Sequence, residues 1–234
     1  MNRLLAALVA SSLVGCASMS EQYQQVIDSP VRTDQDRNAD AARRPAGFLP
    51  FTQVGPGMQV LDVATGAGYT AQLLALAVGP GGTVYAQGTQ PRPPLTQRLT
   101  DKPQANFVPV FRPFDDPVPA QAPKLDLVTI ILNYHDFCYL PVDRVKMNAR
   151  LFAALKPGGR LVVIDHSARS GTGIADVKSL HRIDEAVVRT ELLQAGFKLE
   201  AEGDFLRNPA DPRDQKSYGS KVPTDKFALR FVKP

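Results

Sequence analysis

Two stretches concentrate side chains that could do chemistry. The first is Asp62-Val63-Ala64-Thr65-Gly66-Ala67-Gly68-Tyr69, and the second is Asn133-Tyr134-His135-Asp136. In the first, an acid precedes a pair of glycines, after the apolar Val60-Leu61 and before the strong helix former Ala71–Ala77. That order reads as a buried strand, a tight turn and a helix N-terminus, where a ligand can approach the backbone closely. A turn made for a pyrophosphate would avoid the carboxylate and add a third glycine or a lysine. An acid at this lip suits a ligand with a cationic or hydroxyl-bearing end. The second stretch supplies an amide, a phenol, an imidazole and a carboxylate in succession, enough for a general base and the group that orients it. His166 and His181 complete the three histidines of the chain.

The elements that must position these groups alternate regularly. Strands are expected at 58–63, 83–87, 107–111, 125–132 and 160–165, with helices at 70–78, 142–155 and 185–195. Segments 197–205 and 227–232 close the sheet as an antiparallel pair. Prolines from Pro91 to Pro123 confine the second helix of the series to 95–100 and leave an extended connection after it. The expected architecture is α/β: a Rossmann-like, doubly wound sheet of about seven strands, mostly parallel with an antiparallel C-terminal strand, and helices on both faces. Residues 16–44 read as a tether followed by an N-terminal helical lid, and 45–234 as the catalytic domain.

Leu155-Lys156-Pro157-Gly158-Gly159-Arg160-Leu161-Val162-Val163-Ile164-Asp165 adds a second signature, a helix stop and glycine turn leading into a buried strand. With the Asp62 turn, it makes the chain resemble the class I S-adenosylmethionine-dependent methyltransferases over roughly residues 40–234. Within these, it is similar to a bacterial group with a Tyr-His-Asp motif after the fourth strand. The resemblance implies S-adenosylmethionine as cofactor, with Asp62 at its amino-acid end and Ala64, Gly66, Gly68, Tyr69 and Asn133 around it. It places Asp115, beside Asp116, near the adenine amino group, and Gln87 at the ribose, where this family usually has an acid. His135 is then the general base, Asp136 its orienting partner and Tyr134 a wall of the methyl-transfer pocket, with His166 and His181 shaping the acceptor side. Two other readings stay open. His135, Asp136, Asp165, His166 and His181 could hold a metal as in catechol-type O-methyltransferases, although no metal-ligand spacing stands out. A non-catalytic ligand-binding protein on the same fold is the other.

A net charge of +4 spread over 234 residues, with no basic helix, gives no reason to expect nucleic acid. A small-molecule methyl acceptor is expected. Arg3, the apolar Leu4–Val14 run and Leu13-Val14-Gly15-Cys16 read as a lipoprotein signal (residues 1–15) with Cys16 as the acylated residue. The expected location is the cell envelope, anchored by lipid alone, with Ala17 favouring the outer membrane. Cys138 would then be the one remaining thiol, a packed small residue rather than a nucleophile.

Overall fold

The computed structural model describes residues 18–219 and 222–234. Cys16 and the apolar run before it lie outside the described residues. Seven strands form one sheet: β1 (Gln59–Val63), β2 (Thr83–Gly88), β3 (Phe107–Phe111), β4 (Leu125–Ile131), β5 (Leu155–His166), β6 (Lys198–Gly203) and β7 (Lys226–Val232). Their order is β3-β2-β1-β4-β5-β7-β6, and only β7 runs antiparallel to its neighbours. The expected architecture is the observed one.

Side-chain alternation explains why helices cover both faces. Val60, Leu127, Val162, Ile164 and Ala228 join one core, and Leu61, Val128, Leu161, Val163 and Leu229 join the other. The first core receives α1 (Met19–Asp28), α3 (Pro45–Thr52), α4 (Tyr69–Val78) and Leu95 of α5 (Pro93–Asp101). The second receives Met147 and Leu151 of α6 (Arg144–Ala154) and Val188 and Leu192 of α7 (Glu185–Gln194). The inner strands β1, β4, β5 and β7 therefore bury both sets of side chains, as a sheet between helical layers requires, whereas the edge strands β3 and β6 are largely uncovered.

Two expectations about local structure are corrected. Residues 19–28, taken as part of a tether, form α1. Ser18 and Glu21 close a reciprocal capping box at its start. Tyr23 and Val26 are buried, and the Tyr23 hydroxyl donates to the Val54 carbonyl at 2.8 Å. Lys156-Pro157-Gly158-Gly159, expected as a free turn, is a bulge within β5: pairing skips from Leu155–Leu125 to Arg160–Leu127. Gly158 N–H donates to the Lys233 carbonyl and Lys233 N–H to that of Gly159.

The segment expected to serve as a lid folds as α2 (Asp34–Arg43), with α3 after it. Arg98 of α5 makes two hydrogen bonds to the Asp36 carboxylate, at 2.7 and 2.8 Å, and a third, through Nε, to the Ala67 carbonyl at 2.9 Å. It thereby ties the lid to the glycine turn. The Tyr69 hydroxyl donates to Asp40 at 2.7 Å from the other side. Tyr69 thus holds the lid. No described helix is long and apolar enough to cross a membrane.

Candidate active site

Strand order reverses between β1 and β4, and an open crevice of about 130 Å³ lies there. Ala64, Thr65 and Gly66 after β1 line it, with Gly88, Thr89 and Gln90 at the end of β2. Phe111 and Phe114 at the end of β3 and Asn133 and Asp136 after β4 complete the main walls. Ala64 (φ 56°) and Leu132 (φ 60°) take left-handed conformations at the ends of β1 and β4. Such backbone is strained for residues with a side chain and persists where neighbours hold it. Here the holders are visible. Gln87 Oε1 accepts from Ala64 N–H at 3.0 Å, and Asn133 Nδ2 donates to the Ala64 carbonyl at 3.2 Å.

Gln87 is thus not a ribose ligand waiting at the surface. It is fully buried, and its Nε2 donates to the Arg112 and Gly88 carbonyls at 2.7 and 3.3 Å. Strand alternation gives the crevice the next residue, Gly88, where an added Cβ would meet only the Gln90 carbonyl at 3.6 Å. Gln87→Glu should therefore destabilise the fold by about 1–3 kcal/mol, because a carboxylate cannot donate to two buried carbonyls. Urea unfolding of the variant checks this.

Asp62 lies beneath the turn, 1% exposed, its two oxygens accepting from Thr129 and Thr65 hydroxyls at 2.6 Å each. Burial raises its pKa to about 6, against the lowering effect of both hydroxyls and of Arg43. Arg43, at the end of the lid helix, stands over the Tyr69 ring at 5.6 Å and acts electrostatically on Asp62. Arg43 ends the charged run 34–44, and nothing in its spacing marks its nearness to Asp62, which depends on how α2 packs against Tyr69. Phe111 and Phe114 are likewise unmarked, for their role depends on where β3 ends in space.

Other expected residues fall elsewhere. A Cβ on Gly68 would strike Leu95 and Phe107 at 2.9 and 3.1 Å, so this glycine admits α5 and β3 rather than a ligand. Asp115 pairs with Lys146 of α6 at 2.9 Å, and Asp116 pairs with Arg112 and with Arg150. Tyr134 is fully buried in the second core, its hydroxyl donating to Glu191 and accepting from Asn148, both at 2.8 Å. It therefore does not line the crevice. Cys138 is half-buried and its thiol pKa is pushed up to about 12 by burial, in keeping with a packed residue.

The histidines separate into two environments. His166 Nδ1 shares a hydrogen bond with the Thr224 hydroxyl at 2.9 Å, its ring lies edge-on to that of His135, and burial takes its pKa down to about 3. His135 is 4% exposed, and Asp165 receives both its backbone N–H, at 2.9 Å, and its Nδ1, at 2.8 Å. Its Nε2 faces Asp136 Oδ1 at 3.1 Å and His181 Nδ1 at 3.3 Å. Burial opposes the imidazolium, but Asp165 and Asp136 outweigh it and raise the pKa to about 10. Expected to be a neutral base, His135 has both nitrogens engaged and does not reach the crevice wall. Asp136 does. Its Oδ1 also accepts from the Tyr139 hydroxyl at 2.6 Å.

The sheet order and the crevice at its switch point define a class I methyltransferase fold. A model of the protein-L-isoaspartate(D-aspartate) O-methyltransferase family matches residues 16–91, the lid and the first two strands. The chain is similar to the protein-L-isoaspartate O-methyltransferase of Methanothermobacter thermautotrophicus, 31% identical over 65 residues, which is 28% of this chain and 30% of that protein. It thus spans about a third of the length of that relative. Among solved structures, a SAM-dependent methyltransferase from Aquifex aeolicus is 20% identical, with a TM-score of 0.61, covering 93% of this chain and all of the other. The [4+2]-cyclase SpnF is 15% identical, with a TM-score of 0.58 over 85% of this chain and 80% of its own. At these identities the likeness is one of fold.

Proposed function

We propose that the chain is an S-adenosylmethionine-dependent methyltransferase acting on a small molecule. The carrying observation is the strained Ala64-Thr65-Gly66 turn, clamped by Gln87 and Asn133 so that it forms one wall of the crevice. Phe111 and Phe114 offer flat apolar faces for adenine, and Gly66 and Gly88 leave room for the rest, while Asp62, buried beneath the turn, acts on the amino-acid end through the field it sets up behind residues 64–66. When bound, S-adenosylmethionine would supply an electrophilic methyl group, whose C–S bonding pair stays on the sulfur as that leaves as a neutral thioether. The chain's work is to position the acceptor in line and exclude competitors. Asp136, on the crevice wall and fixed by His135 and Tyr139, orients the acceptor by accepting its hydrogen bond.

The isoaspartate relative raises a protein carboxylate as acceptor. The matched segment ends at residue 91, before Asn133, Asp136 and His181, so it speaks for the cofactor half of the site alone. A cyclase on the same fold keeps non-methylating chemistry in view. Titration with S-adenosylmethionine tests the cofactor reading. Gly88→Glu should tighten binding about fivefold, by placing a charged acceptor at the end of β2, where Gly88 supplies no side chain, a gain of ~1 kcal/mol. Unchanged affinity would mean that the ribose does not lie against β2.

The anchor is a separate part of this reading and rests on Leu13-Val14-Gly15-Cys16. Cys16→Ser should leave the precursor uncleaved and without covalent lipid. A parent protein whose mass shows no acyl groups on Cys16, or a variant that is still processed there, would remove the lipoprotein assignment.

A further inference from the structure

We infer that His135, Asp136 and His181 form a binding site for one divalent transition-metal ion, zinc by class. His135 Nε2, Asp136 Oδ1 and His181 Nδ1 make a triangle with edges of 3.1, 3.3 and 3.6 Å. Ligands about 2.05 Å from a tetrahedral zinc stand ~3.3 Å apart, so an ion fits above this triangle with little movement of the side chains. The donor set is two imidazoles and a carboxylate, which leaves the fourth position open as catalytic sites do. Two facing imidazole nitrogens are a weak arrangement by themselves, since one must act as acceptor. As co-ligands they are both satisfied.

The surroundings orient these donors. Asp165 accepts from His135 Nδ1 and from its backbone N–H, which directs Nε2 into the triangle. A carboxylate behind a ligating histidine is the usual partner of such a ring. His181 sits at φ 52°, a left-handed conformation, on a loop nailed down by its neighbour Arg182. Arg182 is fully buried, with hydrogen bonds to the Ser167 and Gln215 carbonyls at 3.0 and 2.7 Å and to Asp211 at 2.8 Å. Tyr139 and Tyr218 pack edge-on against the His181 ring.

This site differs from the five-residue metal reading of the sequence. Asp165 acts from behind His135, and His166 is engaged by Thr224. Because Asp136 also lines the crevice, the ion would sit at its edge, where an acceptor hydroxyl bound to it would be acidified. That use rests on the methyl-transfer reading, whereas metal binding is measured without it.

The test uses the full chain after removal of metals with a chelator. Zn²⁺ is titrated calorimetrically, Co²⁺ is followed by its visible absorption, and neither experiment contains S-adenosylmethionine. One equivalent should bind, with the intense bands of tetrahedral Co²⁺ and a higher unfolding temperature in Zn²⁺. Asp165→Asn should weaken Zn²⁺ binding ~10–100-fold, His181→Gln and Asp136→Asn should remove the cobalt bands, and His166→Ala should leave them. Circular dichroism confirms that each variant is folded. No binding by the parent, or binding that survives in folded His181→Gln, would overturn the site. Metal binding without any affinity for S-adenosylmethionine would uphold it and refute the methyl-transfer reading instead.

Discussion

Replacing Arg182 with methionine should cost the fold about 3–5 kcal/mol, enough to leave much of the chain unfolded at moderate temperature. The guanidinium is fully buried and pairs with Asp211, which is 7% exposed. Methionine fills similar volume but strands the Asp211 charge and removes the donors to the Ser167 and Gln215 carbonyls. Asp211 keeps the backbone N–H of Asp225 and of Arg213, so part of its charge remains compensated. The double change Arg182→Met with Asp211→Leu should therefore recover part of the loss. Denaturant unfolding of the parent, both single variants and the double variant measures this. A single-variant cost below ~1 kcal/mol would show that the His181 loop is held by other means.

The second large effect is opposite in sign. Asp62→Asn should stabilise the protein above pH 6 and weaken S-adenosylmethionine binding. With a folded pKa of about 6 against 3.8 for the free group, Asp62 holds its proton more tightly when folded. Its contribution is fully present below pH 3.8, is lost as pH rises through about 6, and leaves a buried carboxylate costing about 3 kcal/mol at higher pH. Asparagine carries no charge, and the Thr65 and Thr129 hydroxyls can rotate to suit its amide. The expected gain is ~1–3 kcal/mol at pH 8, fading towards pH 4. Retention of a costly acid beneath the turn fits a group kept for ligand binding rather than for stability. Unfolding curves at pH 4 and pH 8 decide the first half, and cofactor titration decides the second. A variant that lost stability at pH 8 would show that the carboxylate is structural.

The strands and the helices behind them were legible because runs such as Val60–Val63 and Leu161–Ile164 are apolar on both faces and bounded by turn residues. Helix α1 was not, because its buried side chains are only Tyr23 and Val26. Its readable mark was the Ser18–Glu21 capping pair. For the site, sequence indicated the correct segments but not the direction of each side chain. Gln87 and Gly88 exchange roles because adjacent strand residues point to opposite sides, and the choice depends on how β2 lies between β1 and β3. Tyr134 turns into the second core while Asn133 and Asp136 face the crevice, since the chain enters a short 3₁₀ turn at Asp136–Cys138. Likewise, the contact between Asp136 and His181 spans far too much chain for spacing to reveal.

On the methyl-transfer reading, the crevice beside residues 64–66 binds S-adenosylmethionine. Gly88 gives the cleanest test, because its added Cβ has open space and no left-handed backbone is disturbed. Calorimetric titration should show one equivalent bound to the parent and no measurable binding to Gly88→Phe, with the two proteins unfolding at the same denaturant concentration. A parent that binds none, or a Gly88→Phe variant that binds as the parent does, would contradict the account.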